Sequence, residues 1–181
     1  MKKALVVVDM QNDFIDGVLG SAEAQAIVPA VCEKIRSWDG EIFFTMDTHS
    51  EENYTVTVEG KDLPILHCVH KTDGWHLRPD IHTALVDKVG DYNKLARHGF
   101  AKKCFGSPEL AAAIYGSGAT YVELVGLCTD VCVISNAVMI RNQNPHIRVV
   151  VDASCCAGVT PERHSVALQA MQNCGIRVIN A

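Results

Sequence analysis

Short β-branched apolar runs alternate along this chain with longer stretches of helical period. The run Ala4–Val8 is apolar at every position, as expected of a strand buried on both faces, and Asp9 closes it. From about Ala22 to Trp38 the spacing is helical, with Ile27, Val31 and Ile35 apolar and Lys34 on a polar face. Asp39-Gly40 ends that helix, and Glu41–Met46 reads as a second strand. A third, short strand is predicted near Lys94–His98. Ser107-Pro108-Glu109 combines an N-cap with proline at the first helical position, opening a helix to Tyr115. Gly116–Gly118 breaks the chain before a strand at Tyr121–Val125. The pattern then predicts a helix from about Asp130 to Arg141, a strand at Ile147–Val151, a helix from Pro161 to Asn173 capped by Thr160, and a last strand at Ile176–Ile179. From Asp47 to about Pro79 periodicity is lost, and a loop of that length inside a compact domain is uncommon unless it is functional.

Strands alternating with helices imply right-handed crossovers and a mostly parallel sheet covered on both faces. The expected fold is a single-domain α/β three-layer sandwich spanning residues 1–181, with an active-site loop at about 47–79. In such sheets ligands bind at the carboxyl ends of the strands, near the reversal of strand order. Asp9, Asp47 and the turn Gly126–Cys132 all follow strands and would gather on that edge.

Composition adds mainly exclusions. A formal charge of -5 leaves no basic footprint for nucleic acid. The apolar run at Ala4–Val8 is too short for a signal peptide or a membrane span, so a cytoplasmic location with no membrane partner is expected. In that reducing setting the eight cysteines read as free thiols. Cys128 and Cys132 lack the two-residue gap of a redox pair, and the side chains of Cys155 and Cys156 diverge.

The chemistry concentrates in a few segments. Gly126-Leu127-Cys128-Thr129-Asp130-Val131-Cys132 leaves a buried strand and opens a helix with Thr129 or Asp130 as cap. Cys132 then falls in the first helical turn, where the partial positive charge favours thiolate and backbone N–H groups can receive an oxyanion. A plain buried cysteine beside a capped helix fits the same pattern. Asp9 ends an apolar strand, where a carboxylate is costly unless paired. Lys102 and Lys103 precede Cys104-Phe105-Gly106-Ser107, and adjacent lysines by themselves read as solvated. Asp47 and His49 share a face by strand alternation, and with His67 they suit an open divalent-metal site. The other histidines, His164 among them, lack such spacing and read as surface or core residues. Phe14 and Trp75 are the aromatic residues able to stack on a flat ring.

With those residues in place the chain resembles the isochorismatase-like cysteine hydrolases, the family that contains nicotinamidases. The likeness runs from about Leu5 to Ile179, through Val7-Val8-Asp9-Met10-Gln11-Asn12-Asp13-Phe14, Asp47-Thr48-His49, His67-Cys68-Val69, Lys102 with Phe105-Gly106-Ser107, and Gly126-Leu127-Cys128-Thr129-Asp130-Val131-Cys132-Val133. The resemblance implies a six-stranded sheet and a catalytic triad of Asp9, Lys102 (or Lys103) and Cys132. It also implies a cis peptide joining Leu127 to Cys128, with an oxyanion hole from the N–H groups of Cys128 and Cys132. Zinc at Asp47, His49 and His67, no organic cofactor and a homo-oligomer are implied in the same way, while Glu59, in the same loop, is not counted among the ligands. Thr48 stands where the nicotinamidase version of this loop carries Trp, and no Pro follows His49. The expected reaction is cleavage of a small carboxamide such as nicotinamide through a thioester on Cys132. Isochorismatase-type hydrolysis or a non-catalytic binding role is the alternative.

Overall fold

The computed structural model describes all residues, Met1–Ala181. Six strands, β1 (Lys3–Val8), β2 (Glu41–Asp47), β3 (Gly99–Lys102), β4 (Tyr121–Leu127), β5 (Arg148–Ala157) and β6 (Arg177–Ile179), form one sheet in the order β3-β2-β1-β4-β5-β6. Every pairing is parallel. The chain builds outward from β1 to β3, then returns to β4 and builds the other way, so the reversal lies between β1 and β4.

Alternation along β1 feeds two cores. Leu5 and Val7 pack with Ile27, Val31 and Ile35 of α2 (Ala22–Ser37) and with Ile81 and Leu85 of α4 (Pro79–Val89). Ala4, Val6 and Val8 face Leu110 and Ile114 of α6 (Pro108–Ser117), Ile140 of α7 (Ile134–Gln143), and Leu168 and Met171 of α8 (Pro161–Asn173). Full burial of each such valine or leucine contributes about 1.5–3 kcal/mol. The three-layer sandwich is therefore written in the all-apolar run of β1, which a one-sided sheet would not show.

Helix starts follow their caps: Ser21, Ser107 and Thr160 accept the N–H groups of Ala24, Leu110 and Arg163. The predicted strand at Lys94–His98 is overturned. Those residues lie mostly in a short helix, α5 (Tyr92–Arg97), because the Asp91 carboxylate caps the N–H groups of Asn93 and Lys94. The strand begins only at Gly99. The predicted helix from Asp130 opens with a wider π-turn over Thr129–Val133, in which Val133 N–H donates to the Cys128 carbonyl at 3.0 Å, and α7 follows at Ile134. The aperiodic stretch carries only a 3₁₀ turn (Tyr54–Val56) and α3 (Val58–Asp62). It is tied to the chain after β1 through α1 (Asn12–Ile15): Asn12 and Asp13 N–H groups donate to the His76 and Gly74 carbonyls, and Cys68 N–H to the Asp13 carboxylate. No helix is long and apolar enough to cross a membrane.

Candidate active site

Asp9 is the first residue beyond β1 and is fully buried. Its φ of 47° is left-handed, a conformation that costs a non-glycine residue roughly 1–3 kcal/mol and persists only where the surroundings enforce it. Thr45 of β2 supplies part of that enforcement. Its hydroxyl donates to Asp9 Oδ1 at 2.6 Å and accepts from the Asp9 N–H at 3.2 Å.

Lys102 ends β3 directly opposite Asp47 of β2. Its Nζ lies 2.7 Å from Asp9 Oδ2, 3.3 Å from Asp47 Oδ1 and 3.4 Å from Cys132 Sγ. Lys102 is 3% exposed, whereas Lys103 faces solvent, so the strand register selects Lys102. Cys132 comes from the π-turn after β4, on the far side of β1 from β3. Gly126 allows that turn: its φ is +116°, and a Cβ there would collide with the Val8 carbonyl oxygen. One residue further on, the Leu127–Cys128 peptide bond is cis.

Burial and charge pull in opposite directions at this cluster. Burial pushes the Cys132 thiol well above the ordinary range, and the Lys102 charge only partly opposes it. Loss of solvent around the sulfur thus works against the thiolate that the helix terminus favours. Burial also raises Asp9, against the pull of Lys102. Lys102 has the opposite outcome: burial disfavours its charge, but Asp9, Cys132 and Asp47 hold it well above the usual lysine range. The cluster thus sets one ammonium against a carboxyl and a thiol whose proton affinities are both raised by burial.

Beside it, Asp47, His49, Glu59 and His67 bring their donor atoms within 4.8 Å of one another. Asp47 Oδ2 is 2.9 Å from His49 Nε2 and 3.3 Å from His67 Nε2, while Glu59 Oε1 lies 3.5 and 3.7 Å from the same nitrogens. The outward ring nitrogen of His67 meets the Ile65 carbonyl at 2.8 Å, the kind of contact that orients a metal-ligating imidazole. Burial favours neutral His49, but Asp47 and Glu59 push it up to about 9. The negative charge of the pocket therefore attracts a cation, and two imidazoles with two carboxylates suit a divalent transition metal. Asp47 faces both clusters, with Oδ1 toward Lys102 and Oδ2 toward the histidines.

Phe14 is buried with its ring edge-on to His67 at 5.4 Å between centroids. Trp75 is half-buried, its indole N–H donating to Thr48 Oγ1 at 2.9 Å. Sequence reasoning gave no role to Thr45 or to the Gln11 amide. Gln11 is fully buried, donates to the Asp47 and Trp75 carbonyls, and accepts the Asp47 N–H. Thr45 was discoverable, since it lies two residues before Asp47 on the same strand face. A surface hollow of about 650 Å³ lies elsewhere, over Asp13, Asp16, Asp73 and Arg78.

A doubly covered parallel sheet that gathers thiol, ammonium and carboxylate at its switch point defines a hydrolase of the α/β class. Residues 3–181 match the isochorismatase domain, and the chain belongs to that family. It is 28% identical to the nicotinamidase/pyrazinamidase of Mycobacterium tuberculosis over 187 residues, covering 98% of each chain. The pyrazinamidase/nicotinamidase of Streptococcus mutans superposes with a TM-score of 0.81 at 27% identity, over 98% of this chain and 100% of the other. The pyrazinamidase of Pyrococcus horikoshii in complex with zinc gives 0.80 at 27% identity, over the whole of both chains.

Proposed function

We propose that this protein is a cysteine amidohydrolase that releases ammonia from a small carboxamide, with nicotinamide the first candidate. The observation that carries the reading is the contact of Lys102 Nζ with both Asp9 and Cys132 in a site buried from water. Asp9 takes the Cys132 thiol proton as sulfur attacks the amide carbon, and the N–H groups of Cys128 and Cys132 receive the oxyanion. Lys102 keeps its charge and holds carboxylate and sulfur in place. Asp9 then returns the proton to nitrogen as the carbon–nitrogen bond breaks, leaving ammonia and a thioester. Water, with Asp9 as base, hydrolyses the thioester to a carboxylic acid and restores the thiol.

Asp47, His49 and His67, joined by Glu59, would hold a divalent metal, zinc by preference. When bound, such an ion offers Lewis-acid binding for a substrate heteroatom. Phe14, against His67, and Trp75, anchored on Thr48, are proposed to flank a planar ring. A cytoplasmic homo-oligomer remains part of this reading, and the assembly is testable by size-exclusion chromatography.

Ammonia release from a panel of small amides, headed by nicotinamide, tests the function. Release from at least one amide is expected, abolished in Cys132→Ala and reduced in His49→Ala or after chelation. Near-wild-type release from Cys132→Ala would sink the mechanism.

A further inference from the structure

The turn that carries Cys132 is fastened to the corner between β5 and α8 by side chains that the mechanism does not use. Thr129, fully buried, places its hydroxyl 2.8 Å from Nδ1 of His164, its sole side-chain partner. The next residue, Asp130, accepts the Val159 N–H at 2.9 Å and meets Arg163 Nε at 2.5 Å. His164 is pinned in turn: a Cβ on Gly158 would lie 2.8–2.9 Å from the His164 backbone and Cβ, so only glycine lets the end of β5 approach α8 this closely. The first two residues of the turn are thus bound to one rigid corner, two and three positions before Cys132. A buried hydroxyl deprived of its partner is left with an uncompensated desolvation cost. A backbone shift of about 1 Å at a nucleophile can cost about 100-fold in rate.

We propose that His164 is a positioning residue for the reaction, acting through Thr129 to hold the Cys128–Val133 turn so that sulfur and oxyanion donors converge on one carbonyl. The inference rests on the amidohydrolase reading of the site. Burial lowers the proton affinity of His164, which favours the neutral ring able to accept the hydroxyl proton. The Asp130–Arg163 pair alone cannot do this work, because Arg163 is more than half exposed and such pairs are weak.

The experiment compares His164→Ala, His164→Asn, Thr129→Val and the Thr129→Val/His164→Ala double variant. It reads kcat and KM on the hydrolysed amide, and amide hydrogen exchange over residues 128–133 with Ala4–Val8 as internal reference. His164→Ala is expected to lower kcat about 10–100-fold with KM within about twofold. Exchange across the turn should quicken about tenfold or more while β1 is unchanged. His164→Asn, which keeps a polar atom near the Nδ1 position, should recover most of both. The double variant should be no worse than the poorer single, as expected for two groups acting as one. Wild-type-like exchange in His164→Ala, strictly additive losses, or exchange that quickens equally in β1 would overturn the proposal. Absence of any amide hydrolysis by the wild type would refute the amidohydrolase reading, while the exchange comparison would still decide whether His164 holds the turn.

Discussion

Lys102 is the residue on which the most charge converges. Its ammonium touches two buried carboxylates and the thiol, so its loss leaves Asp9 and Asp47 facing each other with their shared cation gone. Removing one partner from a buried ion pair costs about 3–5 kcal/mol. Lys102→Met should lower the unfolding free energy from denaturant titration by that order, and adding Asp9→Asn should restore part of it. Lys103→Met, at an exposed position, should stay within about 0.5 kcal/mol of wild type. Equal effects at the two lysines would contradict the buried assignment. The raised proton affinity of Cys132 has a consequence of its own. Alkylation at neutral pH should be slow compared with exposed Cys104, even though Cys132 is the proposed nucleophile.

Among the elements, the ends of β1 and β4 decide whether a site exists. Both central strands carry a positive-φ residue at their carboxyl ends, Asp9 just after β1 and Gly126 as the penultimate residue of β4. Asp9 can be a non-glycine there because Thr45 fixes its carboxylate and N–H. Gly126 has no such freedom, since its missing Cβ is where the Val8 carbonyl sits. Gly126→Ala should therefore destabilise by at least about 2 kcal/mol in chemical denaturation and abolish turnover, because the carbonyl is backbone and cannot step aside. A fully stable, active Gly126→Ala protein would show that this approach is unimportant. The glycine and both strand ends were legible in the sequence. The α5 segment was not, because a single Asp91 cap turned residues expected in a strand into helix.

At the level of the whole molecule, the sheet carries a second buried charge cluster away from the site. Lys34 of α2 lies 2.7 Å from both Glu123 of β4 and Asp152 of β5. Burial raises Asp152, but bonds from Lys34, Ser154 and Asn180 outweigh it and hold the carboxyl below its usual value. A carboxyl whose folded pKa is depressed stabilises the fold above its unfolded value, near 4, and loses that contribution as pH falls through the folded value. Thermal melts from pH 7 down to pH 3 should show a stability loss below about 4 that is shallower in Asp152→Asn. An unchanged slope in that variant would remove the cluster from the account of acid stability.

Periodicity, caps and one all-apolar strand were enough to determine a parallel α/β sandwich and to bring Asp9, Asp47 and the Cys132 turn to one edge. The motifs also named the histidines of the metal cluster. These are local signals, carried by residues a few positions apart. Tertiary structure alone turned Lys102 rather than Lys103 toward Asp9 and Cys132, through the pairing of β3 with β2. It alone brought Glu59 to the two histidines and set Thr45 and Gln11 around Asp9 and Asp47. It also turned His164, an unremarkable histidine by its spacing, into the partner of Thr129. The upward shift in the proton affinity of Cys132 arises at the same level. A thiol's proton affinity depends on how much water is excluded around it and on which charges fold against it, and neither quantity is a property of the segment that contains it.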